Sequence, residues 1–217
     1  MVDVSFLAEI DLFKDLSDSC LKPLEKDSQI LECGAGHLFY AAEQTGKVLF
    51  VLEKGSIRTF RTCGDRTLTI TVLHAPAIFG EMGCFGRGKY HSSAEALQAS
   101  RVRMISRDRL QALLECAPQV SHELFDLMSE RWLHFLRKME TLSRKGLIPR
   151  LATLLLETAE KDVVAGLTHK DLASHIGAHR ESITSALGEL QRAGIIAIER
   201  KKIRILRRER LQHATEE

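Results

Sequence analysis

The spacing of hydrophobic positions changes period several times along the chain of 217 residues. Up to about residue 16, Phe6, Leu7, Ile10 and Phe13 share one face at helical spacing, which predicts a short amphipathic helix. From about Gln29 to Ile105 the period falls to two in short runs: KVLFVLEK, SIRTFRT, RTLTITVL, AEALQAS and RVRMIS. Gly34, Gly36, Gly46, Gly55 and Gly64 punctuate this region at roughly ten-residue spacing, the pattern of short strands in a sandwich or jelly-roll barrel. Helical spacing returns in RDRLQALLECA. It continues from Pro118, a residue suited to a first helical turn, to about Lys145. Val120, Leu124, Met128, Trp132, Phe135, Met139 and Leu142 step by three or four along this stretch, while Phe125, Leu127, Leu133 and Leu136 lie off that line. A long helix with more than one apolar face follows, one for its own barrel and one for a second copy of the chain. Leu124, Met128, Trp132, Phe135 and Met139 are its candidate dimer residues.

SRKGLIP, with Gly146 and Pro149, reads as a hinge, followed by the helical run RLATLLLETAEK. Then comes THKDLASHIGAHRESITSALGELQRAGII, residues 168 to 196. Thr168 is a good N-cap with Asp171 as its capping-box partner. Leu172, Ala173 and Ile176 form the inner face of a short helix, and Gly177 supplies a tight turn. A second helix, from about His179 to Ala193, buries Ile183, Ala186, Leu187 and Leu190. This is the helix-turn-helix layout. The exposed face of the second helix carries His179, Arg180, Glu181, Thr184 and Ser185. Residues at the start of a recognition helix reach base edges. Arginine suits guanine O6 and N7, and glutamate accepts from cytosine N4. IAIERKKIRILRRER alternates like a hairpin, and Lys201 and Lys202 in its turn would sit on phosphates. A plain three-helix bundle would explain the helices, but not the basic wing and the polar face together.

Charge sharpens this picture. The net charge is only +2, and residues 1 to 145 balance nineteen basic against nineteen acidic side chains. Between Arg192 and Arg210, eight Lys and Arg face only Glu199 and Glu209, a local +6 of the kind that meets nucleic acid. No run of about 18 apolar residues predicts a membrane span. The acidic N-terminus lacks the basic start of a signal peptide, so a cytoplasmic location is expected. The five cysteines are scattered without a C-x-x-C pair, which predicts free thiols. G-x-S-x-G, H-E-x-x-H, a Walker loop and metal-ligand spacing are all missing, so neither an enzyme nor a metal site is expected.

The motif FGEMGCF, the long helix and HRESITSALGELQRAGII together resemble regulators of the Crp/Fnr superfamily, relatives of the bacterial cyclic-AMP receptor protein. The resemblance covers nearly the whole chain. It implies an α+β fold in three parts. A cyclic-nucleotide-binding-type β-barrel (jelly roll) would occupy residues 1–117, a dimerisation helix 118–145 and a winged helix-turn-helix 146–217. It also implies a homodimer on a pseudo-palindromic site in double-stranded DNA, RNA polymerase as a further partner, and a small-molecule effector in the barrel. By carry-over, Arg180 and Glu181 match two base-reading positions, and Ser185 stands where the family has an arginine. A TGTGA-like half-site follows, its inner G·C pair read by Glu181.

In nucleotide-binding members of the family, a Gly-Glu pair and a later Arg-Ser pair hold the ligand. A buried phosphodiester needs a fixed cation and donors to offset its desolvation. In FGEMGCFGRGKYHSS, residues 79 to 93, the first pair is Gly80 and Glu81, followed by Met82, and Ser92 takes the serine position. The arginine position is His91, an imidazole where the family has the fixed cation of a guanidinium. Arg87 and Lys89 are neighbouring cations at a loop tip. Phe135 and Leu136 replace the Thr-Ser that would meet a purine edge. Cyclic AMP is therefore expected to bind weakly or not at all. Only Cys20 and Cys33 lie near the N-terminus, which argues against an iron–sulfur cluster. Haem, with His74, Cys84, His91 or His134 as axial ligand, stays open, as does a small hydrophobic or aromatic effector. No cation stands beside Cys84 or Cys116 in the sequence to activate a thiol. The expected mechanism is an effector that alters how two long helices meet, with the hinge near Gly146 reorienting the winged helices.

Overall fold

A computed structural model describes residues 6–85, 88–143, 146–200 and 202–215. The chain divides into two compact units, residues up to 61 with 70–132, and residues 62–69 with 133–217. The division falls inside the long helix, and each unit has its own core.

The first unit opens on two 3-10 turns, Phe6–Glu9 and Asp11–Phe13, where the sequence predicts one helix. The apolar face is as expected, since Leu7, Ile10 and Phe13 are buried, but the backbone is wound more tightly. Next comes α1 (Asp18–Lys26), a helix the periodicity does not announce because Pro23 lies inside it. Eight strands and two helices follow: β1 (Gln29–Cys33), β2 (Leu38–Tyr40), β3 (Val48–Lys54), β4 (Ser56–Cys63), β5 (Arg66–His74), β6 (Ala77–Phe79), α2 (Glu81–Phe85), β7 (Ser93–Ala96), β8 (Ser100–Ser106) and α3 (Arg107–Cys116). They form two four-stranded sheets, ordered β1-β8-β3-β6 and β2-β7-β4-β5. Central strand β3 shows how period two builds both layers. Leu49 and Val51 join the cluster under the helices, whereas Phe50 and Leu52 join the cluster between the sheets.

Two cysteines expected as free thiols are joined. Cys20 on α1 and Cys116 on α3 form a disulfide with Cα atoms 6.7 Å apart. They are 96 residues apart in sequence, and only the packing of α1 against α3 brings them together. Cys33, Cys63 and Cys84 remain thiols.

The long helix α4 runs Val120–Ser143, so Pro118 precedes it and does not sit in its first turn. Val120, Leu124 and Leu127 pack against the first unit's core. Leu124, expected in the dimer face, therefore serves its own chain. Phe125, Trp132, Leu133, Phe135, Leu136 and Met139 are the exposed apolar residues of the helix. The sequence reading joined 120, 124, 128 and 132 by steps of four. Each such step overshoots a turn by about 40°, so the line drifts from the inward face to the outward one. The inward stripe is Val120, Leu124, Leu127 and Arg131. The outward one has Phe125, Trp132 and Met139 at one heptad position and Met128 and Phe135 at the other, while Leu142 packs against the second unit's core.

The second unit contains α5 (Leu147–Thr158), β9 (Val163–Ala165), α6 (His169–Ile176), α7 (Arg180–Arg192), β10 (Ile196–Glu199), β11 (Lys202–Ile205) and α8 (Arg208–His213). Strand order β10-β11-β9 makes the expected hairpin the larger part of a three-stranded sheet. Its core joins Leu151, Leu155, Leu172, Ile176, Ile183 and Leu187.

In this unit burial pushes the Lys138 ammonium down to about 8, with the Glu157 carboxylate opposing the shift. His134 is also lowered, by burial first and then by Lys138 and Arg137. Below about pH 8, Lys138 is charged in folded and unfolded chains alike, and the burial cost stands in full. Between about 8 and the ordinary value of 10.5, the unfolded chain holds a proton the folded chain has released, so stability rises with pH. Lys138→Met therefore raises the melting temperature at pH 7, and its advantage over the parent fades toward pH 10.5. Paired thermal melts across that window check this. An advantage independent of pH rules out the charge as its cause.

Candidate functional site

The helix-turn-helix is built by local chemistry. The Asp171 amide donates to Thr168 Oγ1 at 3.2 Å and the Thr168 amide donates to Asp171 Oδ2 at 2.8 Å, the reciprocal capping box that starts α6. Gly177 ends α6 at φ 64°, a left-handed conformation that favours glycine. The chain then turns directly into α7. Ile183, Ala186, Leu187 and Leu190 are buried, which leaves His179, Arg180, Glu181, Thr184 and Ser185 exposed together. All five residues expected on the reading face are on one surface, at the positive end of the α7 dipole.

Two residues of that face have unexpected partners: His179 Nδ1 lies 3.7 Å from Asp65 Oδ2, and Thr184 meets the neighbouring helix. Thr184 Oγ1 donates to the Arg180 carbonyl at 3.0 Å and lies 2.9 Å from His169 Nδ1. With the hydroxyl proton used on the carbonyl, the His169 ring nitrogen is the donor. His169, at the first turn of α6, thus ties the two helices across the turn. Its three-dimensional position gives it this role, and nothing in its spacing signals it.

In the wing, Lys202 is exposed at the start of β11, and Lys201 lies outside the described residues. Arg204 pairs with Glu199 at 3.3 Å and Arg208 with Asp162 at 2.6 Å. Part of the basic patch is thus internally matched, while Arg192, Arg200, Lys202, Arg207 and Arg210 stay exposed.

The barrel loop is equally specific. Gly80 has φ 82°, and a Cβ there would lie 2.9 Å from the Phe50 ring. Glycine is therefore required both by backbone and by space. It turns the chain so that Glu81 opens α2 with its carboxylate pointing inward; the residue is 4% exposed. Arg131 of α4 pairs with Glu81 Oε1 and donates to the Ile78 carbonyl. Glu81 Oε2 is buried without a hydrogen-bond partner among the described residues. Such an acceptor is costly unless a donor meets it. The sequence offered one signal for Arg131, a single cation continuing the inward steps 120, 124 and 127.

Five aromatic rings pack beside this ion pair. Tyr40 and Tyr90 stack with centroids 3.8 Å apart, Phe50 and Phe79 stack at 4.9 Å, and Phe39 meets Phe50 edge-on. The Tyr90 hydroxyl donates to the Val48 carbonyl at 2.9 Å. Burial, then the charge of Glu81, pushes the Tyr40 hydroxyl well above its ordinary value, with a Ser92 contact acting the other way. A cavity of about 240 Å³ opens beside these rings, lined also by His37, Gln44 and Lys47.

The nearby arginines are committed to protein acceptors. Arg58 pairs with Glu95 at 2.6 Å, Arg61 donates to the His91 carbonyl at 2.6 Å, and Arg107 donates to the Gly83 carbonyl at 2.7 Å. Of the expected pocket residues, Gly80, Glu81 and Ser92 lie at this site. His91 is exposed and Met82 is 54% exposed, so neither lines the buried part. Phe135 and Leu136 are exposed on α4, in the other compact unit. His74 is exposed while Cys84 is buried, so these two haem candidates do not share one environment. Arg107 acts on Cys84, a cation the sequence could not place, yet burial dominates and raises the thiol. Among the described residues no three His, Cys, Asp or Glu side chains gather as a metal site. No helix among them is long and apolar enough to cross a membrane.

Comparison with known proteins places both units. Residues 149–214 match the model of the Crp-like helix-turn-helix domain, and residues 30–116 match that of the cyclic nucleotide-binding domain. The chain is 26% identical over 215 residues to the CRP-like cAMP-activated global transcriptional regulator of Mycobacterium tuberculosis, covering 94% of this chain and 96% of that one. It is 26% identical over 178 residues to the transcriptional activator protein anr of Pseudomonas aeruginosa, covering 78% and 72%. In fold it is similar to a crystal structure of a crp/fnr-family transcriptional regulator from Eubacterium rectale, with TM-score 0.81 at 22% identity, covering 96% and 99%.

Proposed function

The chain belongs to the Crp/Fnr superfamily of DNA-binding transcription regulators, and from this we propose a specific reading of what its two sites do. As a homodimer, it reads a pseudo-palindromic site through His179, Arg180, Glu181 and Ser185, with Thr168, Thr184 and Lys202 placing the backbone. The observation that carries this reading is the segregation of α7: four buried apolar residues on one side and five polar ones grouped on the other. Two-fold symmetry would put the paired α7 helices in successive major grooves. RNA polymerase is the partner such a regulator addresses at a promoter, and the cytoplasm is where it would work. Binding, not catalysis, is its activity.

The test is a titration of a fluorescent TGTGA–TCACA duplex at fixed moderate salt. Arg180→Ala weakens binding by about 10- to 100-fold, the loss of a bidentate base contact worth about 1–3 kcal/mol. Its thermal melt is unchanged, because Arg180 is exposed. Unaltered affinity would remove α7 as the reading helix.

We propose further that the effector is small, is not cyclic AMP, and donates a hydrogen bond to Glu81. Three features support this. Glu81 Oε2 needs a donor. The described arginines around the loop are already committed to protein acceptors. The adjoining cavity is below the roughly 300 Å³ of ordinary ligand sites. Cyclic AMP added to the same titration leaves the affinity unchanged, and a tightening would restore the nucleotide reading. Through the Glu81–Arg131 pair, a ligand at the loop would act directly on α4.

A further inference from the structure

We propose that Cys20 and Cys116 are a reversible thiol–disulfide site, opened and closed by low-molecular-weight thiols and disulfides, that sets how firmly the root of α4 is held. The location makes the bond consequential. Cys20 lies in the first unit's core cluster beside Leu21 and Leu24 on α1, with Leu110, Leu113 and Ala117 from the α3 side and Val120 at the start of α4. Cys116 is the last residue of α3, four positions before α4 begins. The bond closes a loop across 96 residues that contains almost the whole sandwich. It therefore locks α1 onto the segment that launches α4.

The two sulfurs differ in a way that permits exchange. Cys116 is exposed, while Cys20 is only 9% exposed. An attacking thiolate can reach Cys116 and not Cys20. Cys20 is then the leaving group. It is the third residue of α1, where the amide ends of the helix stabilise a thiolate. Cys116 sits at the opposite pole of α3, where a thiolate is disfavoured. Access and leaving-group stability thus select the same direction of attack. A thiolate RS⁻ bonds to Cys116 Sγ, the S–S bond breaks, and Cys20 departs as thiolate. A second RS⁻ attacks the reagent sulfur of the mixed disulfide, which releases RSSR and the Cys116 thiolate. Two electrons pass from two RSH to the protein disulfide. The reverse reaction consumes RSSR and restores the bond.

The test uses the full-length protein with Cys63→Ser, which removes an exposed thiol that could link two chains. The protein is equilibrated in buffers of reduced and oxidised glutathione, quenched with N-ethylmaleimide, and analysed by mass spectrometry and thermal melting. The expected result is two extra alkylated residues, Cys20 and Cys116, appearing together as the buffer becomes more reducing and disappearing when oxidised glutathione is restored. The melting temperature falls by about 10 °C over the same transition, the effect of releasing so long a loop. Cys116→Ser in the same background melts at the reduced protein's temperature in every buffer. A Cys20–Cys116 pair that stays bonded under native conditions in reducing glutathione would be a fixed structural bridge, and one that never bonds would be no site; either overturns the proposal. So does a buffer-dependent melting shift that survives in Cys116→Ser.

Discussion

Arg131→Met lowers the free energy of unfolding by about 3 kcal/mol in a urea titration, with the slope unchanged. Breaking a buried ion pair from one side costs about 3–5 kcal/mol because the remaining charge cannot be rehydrated. The Glu81 side chain is 6% exposed and meets that condition, whereas Arg131 keeps 27%, which sets the effect at the low end. The Ile78 carbonyl loses its donor as well. Glu81→Gln alone is milder, since Arg131 retains that carbonyl and water. The double variant Glu81→Gln/Arg131→Met recovers most of the loss, because no stranded charge remains. A double variant no more stable than Arg131→Met would show that the length of the arginine stem matters, and not its charge.

Trp132→Glu converts the dimer to single chains in analytical ultracentrifugation and weakens operator binding by on the order of 100-fold or more. Trp132 is 60% exposed in the isolated chain and stands between Phe125, at 73%, and Met139, at 47%, on the outward heptad line. Exposed aromatic side chains in series are what a partner helix covers. Two glutamates at that position would face each other across the two-fold axis in a water-poor seam. Without the dimer, the second half-site loses the effective concentration that the first supplies. Glu130→Ala, on an exposed polar position two residues away, leaves mass and affinity as they were. A Trp132→Glu protein that stays dimeric places the interface elsewhere.

Where the backbone supplies its own partners locally, the sequence was easy to read. Thr168 and Asp171 sit three apart, so the start of α6 could be placed to the residue, and Gly177 marked its end. The polar face of α7 followed from buried positions at helical spacing. Contacts between distant segments were not readable in this way. Glu81 was identified but Arg131, fifty residues on, was not, because helical steps that carry a cation inward do not say which carboxylate it meets. The same holds for His169 against Thr184 and for Cys20 against Cys116. Nothing in the spacing of Tyr40 and Tyr90, fifty residues apart, pairs them, yet their stacking fills the space beside the loop. Leu124 was misassigned for a different reason. Steps of three and four are both helical, and only their order decides on which face a residue ends.

That order gives α4 a constraint of its own. The inward stripe closes at Arg131 and the outward one opens at Phe125, so seven residues of one helix, 125 to 131, lie where the two overlap. Side chains there can drift in descendant proteins as long as size and polarity suit each face. Length cannot drift. One inserted residue would swing everything beyond it by about 100°, carrying Trp132 and Met139 out of line with Phe125. Seven inserted residues would leave a lag of only about 20°. Along this helix, gene-level insertions should survive in whole heptads or not at all.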